Sequence, residues 1–151
     1  LAVALMERRD FKPEDFKVLH PGGNLGLQML TVSQLMRNKT EMAIVKDDLT
    51  MSAVVSCMTQ SGFGVAILVD ENGILSGIIT DGDLRRNIND ILSLSPRDIA
   101  TLNPTSVQPT DLVSVALEKM EKSKVYAIVV IEDNKPIGLL RMHDVLRSGI
   151  K

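Results

Sequence analysis

The sequence predicts an α+β fold made of two copies of a β-α-β-β-α unit packed with pseudo-twofold symmetry. The first observation is a motif of glycine, two aliphatics, aspartate, aliphatic and arginine at 77–86, which returns 61 residues later (138 − 77) at 138–147. The second is an apolar stripe at i, i+3, i+4 and i+7, typical of an amphipathic helix, which occurs at 51–58 and again at 113–120. Each unit has about sixty residues and would be only marginally stable alone, so we expect the two to pack on each other.

The first unit, 32–91, is predicted from local patterns. Asp47 and Asp48 favour the start of the first long helix. The apolar run 65–69 predicts a buried strand, and Asn72-Gly73 is a turn pair that accepts positive φ. The expected elements are, in order, a short helix at 32–36, a strand at 42–45, the helix from 51, strands at 65–69 and 74–79, and a helix at about 81–89.

The second unit, 92–151, repeats this order after a joint at 92–96. We expect Thr110 or Asp111 to cap its long helix and Asp133-Asn134 to form its hairpin turn. The expected elements are a short helix at 97–102, a strand at 105–107, a helix at 112–122, strands at 127–131 and 137–140, and a final helix.

Residues 1–31 belong to neither repeat. Residues 1–9 are typical of a helix end, Pro13 suits the first turn of a second short helix, and a glycine-rich loop with His20 follows. The chain begins with leucine rather than methionine and has no signal-peptide pattern. We therefore expect it to be part of a longer protein.

The composition argues against several classes of protein. A net charge of −2, one Tyr, three Phe and no Trp are unlike a nucleic-acid binder, which needs a basic surface and often stacking aromatics. The apolar runs, such as 65–69, are all far too short to span a membrane. A single cysteine, Cys57, excludes an internal disulfide and suits a reducing cytosol. We expect a cytoplasmic protein with neither nucleic acid nor membrane as a partner.

The repeated motif carries the candidate site. The Thr80 hydroxyl can donate and accept a hydrogen bond, and the Asp83 carboxylate accepts them, so the pair suits the cis-diol of a ribose. The same Thr-x-x-Asp spacing is nearly a capping box, in which both side chains only cap a helix, and this structural interpretation stays open. In the second copy Arg141 replaces the threonine, leaving Asp144 and a guanidinium that could meet a phosphate.

Other polar residues give weaker signals. Arg85 and Arg86 are interpreted as solvated helix charges. His143 beside Asp144 has no further Cys or His at a metal-ligand spacing, so no metal site is expected. Cys57 is expected to be half-buried without a redox partner, and the eight methionines to fill the core.

Residues 32–151 resemble a tandem pair of CBS domains, the Bateman module, through the order of elements and the signature of Gly77, Thr80 and Asp83. Arg141 departs from this signature. The resemblance implies that Thr80 and Asp83 hold the ribose of a regulatory nucleotide in one site and that Asp144 alone remains in the second. An AMP- or ATP-like or a CMP-type ligand is implied, and no obligatory cofactor.

The flanking sequence resembles the KpsF/GutQ family of D-arabinose-5-phosphate isomerases, through His20-Pro21-Gly22-Gly23, 80–86 and 142–144. The resemblance implies a sugar-isomerase (SIS) domain before the CBS pair, with 1–31 as its tail, His20 in its acid–base chemistry and a product that supplies Kdo for lipopolysaccharide. It further implies a homodimer through CBS pairs and a tetrameric parent. The present chain is not itself expected to be an isomerase.

Two functions follow from these expectations. One is a regulatory module that binds a nucleotide or sugar nucleotide, such as CMP-Kdo, between the repeats. The alternative is a dimerisation module that binds no ligand and positions SIS domains.

Overall fold

A computed structural model describes residues 29–148 and confirms the α+β class. Six helices and eight strands lie in this range, with 3-10 turns at Lys39–Glu41 and Ile91–Ser93. The helices are α1 (Val32–Leu35), α2 (Met51–Ser61), α3 (Asp81–Arg86), α4 (Pro96–Ile99), α5 (Val113–Ser123) and α6 (Met142–Arg147). The strands are β1 (Arg37–Asn38), β2 (Ala43–Lys46), β3 (Val65–Val69), β4 (Leu75–Thr80), β5 (Thr101–Leu102), β6 (Ser106–Val107), β7 (Ala127–Glu132) and β8 (Lys135–Arg141).

The strands form two four-stranded sheets, in the orders β2-β3-β4-β5 and β1-β8-β7-β6. In the first sheet β2 runs parallel to β3, which is antiparallel to β4, and β4 is antiparallel to β5. In the second sheet β6 runs parallel to β7. Each sheet thus combines a parallel strand pair, joined through a long helix, with a hairpin. The tail predicted for 1–31, including His20, lies outside the described residues except for 29–31.

The two hairpins use different turns. In the first, only Gly73 has positive φ (82°), and the Asp70 carboxylate accepts hydrogen bonds from the backbone N–H groups of Asn72 (2.8 Å) and Ile74 (3.0 Å). In the second, Asp133 (55°) and Asn134 (65°) both have positive φ, as a type I′ turn requires. The predicted Asn-Gly pair therefore supplies one positive φ rather than two, because the Asp70 side chain closes the turn.

The two long helices bury the predicted stripes. Met51, Val54 and Met58 are buried on α2, and Val113, Ala116, Leu117 and Met120 are buried on α5. The prediction of Thr110 or Asp111 as the cap of α5 is wrong. Leu112 occupies the N-cap without a side-chain bond, since the Asp111 carboxylate accepts the Gln108 N–H (2.8 Å) and closes the turn before it.

The C-termini of these helices provide a matched pair of residues in the left-handed conformation. The first ends at Gly62 (φ 75°) and the second at Lys124 (φ 58°). Left-handed backbone is costly for a residue with a Cβ, so Lys124→Gly is expected to raise the free energy of unfolding by about 0.5–1 kcal/mol in urea denaturation. Gly62→Ala should lower it by about 1–2 kcal/mol, since a Cβ there meets no atom within 4 Å and only φ is strained. A Lys124→Gly protein no more stable than its parent would contradict this account.

Two short elements differ from the sequence-based boundaries. The helix predicted at 97–102 ends at Ile99, and Thr101–Leu102 pairs with β4 instead. Gly77 allows this pairing because it has no side chain; a Cβ there would lie 3.1 Å from the Thr101 carbonyl oxygen.

The Ser95–Asp98 capping box starts α4, and hydrogen bonds from the Ser95 backbone and then its side chain lower the pKa of Asp98. The helix predicted at 81–89 ends at Arg86.

The chain divides into two compact units that do not follow the two repeats in sequence. One unit comprises 37–104 and 131–138, and its core lies between the β2-β3-β4-β5 sheet and helices packed on one face. Ile99, in the second repeat, belongs to this core. The core comprises Ala43, Val45, Met51, Val54, Met58, Ala66, Leu68, Ile79 and Ile99.

Among the described residues, the other unit contains 29–36, 105–130 and 139–148. Here α1, although it precedes the first repeat's strands, is bonded to the start of α5. The Val32 N–H donates to the Asp111 carbonyl (2.8 Å), and the Val113 N–H donates to the Leu30 carbonyl (2.9 Å). Each compact unit therefore takes its first short helix from the other sequence repeat. No helix within residues 29–148 has the length and apolar character needed to cross a membrane.

Candidate functional site

The candidate site lies where β4 leads into α3. Thr80 is the last residue of β4 and the N-cap of α3, with extended backbone. Its backbone N–H donates to Asp83 Oδ2 (2.9 Å), and its hydroxyl donates to the same oxygen (3.1 Å). The Asp83 N–H in turn approaches Thr80 Oγ1 (3.4 Å). The capping box that the sequence left open is therefore formed, because the three-residue spacing brings the two side chains together.

Asp83 is a buried carboxylate with an exposed partner. Its side chain is 12% exposed, and Oδ1 accepts a hydrogen bond from Arg86 Nη2 at 2.6 Å. The Arg86 side chain is 69% exposed. Asn87 closes the end of the same short helix by donating from Nδ2 to the Asp83 carbonyl (2.8 Å). The Asp83 carboxylate thus has one oxygen held by the helix cap and one held by a surface side chain.

A second loop lies against this corner, and the sequence analysis missed it. The Asp81 N–H donates to the Gly64 carbonyl (3.0 Å), which ties the α2–β3 loop to the start of α3. Gly64 has φ +69°, and a Cβ on it would lie 2.5 Å from Asp81 Oδ2. Two glycines, Gly62 and Gly64, just before the apolar run of β3 were the available signal. Only a glycine lets the Asp81 carboxylate lie where it does without a shift.

The second copy of the motif is built differently. Arg141 is the N-cap of α6 but makes no capping bond with its side chain. Its guanidinium binds Asp144 through two bonds, Nε to Oδ2 (2.8 Å) and Nη2 to Oδ1 (3.0 Å). The side chains are only 16% and 7% exposed. Both oxygens of the Asp144 carboxylate are therefore occupied by a largely buried ion pair.

The remaining candidates are dispersed. Arg85 and Arg86 are both exposed, as expected, but Arg86 is paired with Asp83. His143 is half-buried, and no group of three or more His, Cys, Asp or Glu within 29–148 is arranged to hold a metal ion. Cys57 is half-buried against the core, as expected, and five methionines are buried in the described range. These five are Met42, Met51, Met58, Met120 and Met142.

A shallow pocket of about 400 Å³ lies in the first of the two units described above, beside the edge strand β2 and the C-terminal half of α2. Cys57 borders it, and none of the predicted site residues does. Its lining consists of Thr40, Glu41, Met42, Ala43, Ile44, Val45, Cys57, Gln60 and Ser61.

Comparison with known proteins agrees with this architecture. The family model of the CBS domain matches residues 32–90 and 97–151. The chain is 38% identical over 155 residues to arabinose 5-phosphate isomerase KdsD of Pseudomonas aeruginosa. The aligned region covers 99% of this chain and 48% of that protein. The chain thus spans about half the length of this curated relative.

Two solved structures have the same fold. The CBS domain pair of MJ0100, in complex with 5′-methylthioadenosine and S-adenosyl-L-methionine, has a TM-score of 0.72 at 19% identity, over 79% of this chain and 94% of that chain. CBSX2 in complex with AMP has a TM-score of 0.69 at 22% identity, over 78% and 94% of the two chains. At these identities the likeness concerns the fold alone.

Proposed function

The chain belongs to the CBS-domain family as a tandem pair, and on this premise we propose that it is a regulatory module that binds an adenine nucleoside or nucleotide through Thr80 and Asp83. The observation that carries the proposal is the buried Asp83 carboxylate, one of whose oxygens is covered only by an exposed side chain. The AMP complex of CBSX2 and the 5′-methylthioadenosine and S-adenosyl-L-methionine complex of MJ0100 indicate the ligand class that this fold accommodates in those proteins.

The chemistry of the pair suits a vicinal diol. A ribose presents two hydroxyl groups that donate hydrogen bonds, and a carboxylate with up to four acceptor positions can take both. Such charge-assisted bonds are stronger than neutral ones, and burial of Asp83 removes part of the competition from water. The Thr80 hydroxyl, already beside the carboxylate, can donate its hydrogen bond to the ligand instead, or accept a hydrogen bond from the ligand. The cap and the diol site are thus compatible uses of the same residues.

The second motif does not offer the same arrangement. Arg141 takes both oxygens of Asp144 in a pair that is largely buried, so a diol would have to displace two bonds and leave a buried guanidinium behind. We therefore propose that the aspartate-diol contact occurs in the first repeat alone, with one such ligand per chain.

The parent protein is proposed to be an arabinose-5-phosphate isomerase. Similarity to KdsD over 99% of this chain supports it, although the chain spans about half of that relative. In this proposal a SIS domain precedes the pair, His20 takes part in its acid–base chemistry, and the assembly is built from dimers of the pair. CMP-Kdo, further along the same biosynthesis, is then a reasonable feedback ligand to test.

A thermal-shift screen of the chain tests the proposal. The probes are adenosine, AMP, ATP, 5′-methylthioadenosine, S-adenosylmethionine, CMP and CMP-Kdo. A ligand at one hundred times its dissociation constant stabilises the native state by about 2.7 kcal/mol, which is a shift of several degrees for a protein of this size. We expect at least one adenine compound to give such a shift, and Asp83→Ala to abolish it.

Asp81→Ala is the matched control for this screen. It removes a neighbouring carboxylate in the first turn of the same helix but leaves the bonds between Thr80 and Asp83 in place. Shifts are measured from the unliganded melting temperature of each variant, so that a change in stability is not read as a change in binding. A ligand whose shift survives Asp83→Ala would show that binding occurs elsewhere.

An assembly function is the second candidate, and two observations favour it. The capping box is complete without any ligand. The segment that follows α3 exposes Ile88 (65%) and Leu92 (74%), which a second subunit could cover. If no probe shifts the melting temperature at millimolar concentration while the chain sediments as a dimer, Thr80 and Asp83 are helix caps and this function is preferred.

A further inference from the structure

We propose that Arg86 is a displaceable latch on the Asp83 carboxylate, so that a neutral diol ligand binds by exchanging with its guanidinium. The inference rests on the proposed function, since it concerns how the Thr80–Asp83 pair becomes available. It makes Arg86 a residue that sets the affinity of the site without itself being a ligand of the ribose.

The bonds to the two carboxylate oxygens differ in kind. Oδ2 is held by the backbone N–H and the hydroxyl of Thr80, and both are fixed by the capping box at the end of β4. Oδ1 is held by Arg86 Nη2 at 2.6 Å. A ligand that takes Oδ2 must disturb the backbone of the cap, whereas one that takes Oδ1 need only rotate a long side chain. Oδ1 is therefore the oxygen at which exchange can occur.

Exposure makes the exchange inexpensive. The Asp83 side chain is only 12% exposed, but the Arg86 side chain is 69% exposed, so we expect this ion pair to change an equilibrium constant by only about two- to fivefold, as ion pairs at a protein surface do. The released guanidinium can be hydrated at once. The second motif provides the contrast, since Arg141 is 16% exposed and binds both oxygens of its aspartate. An arginine thus binds the aspartate in both motifs, but only Arg86, in the first motif, can release its aspartate at little cost in free energy.

The latch predicts an unusual response to salt. Salt screens the attraction between the exposed Arg86 guanidinium and the carboxylate, and thereby weakens the competitor for Oδ1. A neutral nucleoside has no net charge of its own for salt to screen. Its affinity should therefore rise with ionic strength, the reverse of the behaviour of an anionic ligand drawn to a cation.

Isothermal titration with adenosine tests the latch on the whole chain. The proteins are wild type, Arg86→Met and Arg85→Met, at about 0.02 M and about 0.5 M KCl. Arg85→Met is the control because it removes the same charge from the adjacent exposed position, and Arg85 has no bond to Asp83 among those described. We expect Arg86→Met to bind adenosine about two- to fivefold more tightly than wild type at low salt, and Arg85→Met to bind as wild type does. Wild-type affinity should rise with salt, while that of Arg86→Met should stay constant.

The outcomes separate this inference from the proposed function. If adenosine binds and depends on Asp83, but Arg86→Met binds it no more tightly than wild type or wild-type affinity falls with salt, the latch is overturned and the proposed site stands. If adenosine binds none of the three proteins at millimolar concentration, while other adenine compounds shift the melting temperature, the latch for a neutral diol is likewise overturned. If no compound binds at all, the proposed function fails and the latch fails with it.

Discussion

Asp144→Ala is expected to lower the free energy of unfolding by about 3–5 kcal/mol, the largest loss among the substitutions considered. The substitution removes the two carboxylate oxygens that accept hydrogen bonds from Arg141 Nε and Nη2, and the Arg141 side chain is only 16% exposed. A largely buried charge without its counter-ion cannot recover its hydration unless the helix end opens. Urea denaturation followed by circular dichroism measures the effect.

Two further proteins show whether the ion pair is the cause. The double substitution Arg141→Met with Asp144→Leu removes both charges and should recover most of the loss, since an apolar pair of similar volume needs no compensation. Asp90→Ala removes an exposed aspartate whose side chain caps nothing, and should change stability by less than about 0.5 kcal/mol. If Asp144→Ala costs no more than Asp90→Ala, the pair contributes nothing and the contrast between the two motifs loses its basis.

Ile99→Ala is expected to cost about 2–5 kcal/mol, as for other buried isoleucines cut to alanine. Ile99 is 7% exposed and lies in the core beside the β2-β3-β4-β5 sheet, although in sequence it belongs to the second repeat. The loss combines removal of apolar surface from the core with the cavity that remains. Urea denaturation again provides the measurement.

Ile88→Ala is the matched control, since it removes the same atoms from a side chain that is 65% exposed. Its effect should stay within about 0.5 kcal/mol. A cost below about 1 kcal/mol for Ile99→Ala would mean that α4 is not an integral part of this core. The comparison therefore tests the exchange of short helices between the two sequence repeats.

The sequence predicted the elements better than their partners. The apolar stripes of α2 and α5 and the run at Val65–Val69 lie where periodicity placed them. Periodicity tells which face of a helix is apolar, but not which neighbour covers that face. The position of a four-residue helix such as α1 or α4 depends mainly on the neighbour that it packs against. For this reason the repeat pattern did not reveal that each of these helices belongs to the compact unit built mostly from the other sequence repeat.

The site shows the same division between local and distant information. The contact between Thr80 and Asp83 follows from a spacing of three residues across a helix start, and the sequence offered it as one of two open interpretations. The contact of Asp81 with Gly64 joins residues that are distant in sequence, and no local rule indicates it. Arg141 illustrates a third case. Asp144 lies only three residues further along the chain, but the sequence analysis named a phosphate as the partner of the guanidinium, whereas the structure buries the guanidinium against the Asp144 carboxylate.

The backbone bonds between Leu30–Val32 and Asp111–Val113 also define a mechanical path. A pull on the chain at residue 30 is resisted first by the two hydrogen bonds of an antiparallel bridge to the segment that starts α5, about eighty residues further along the sequence (111 − 31). Tension or torsion applied at this point therefore reaches the start of α5, in the second repeat, before it reaches the strands that follow residue 36 in the first repeat.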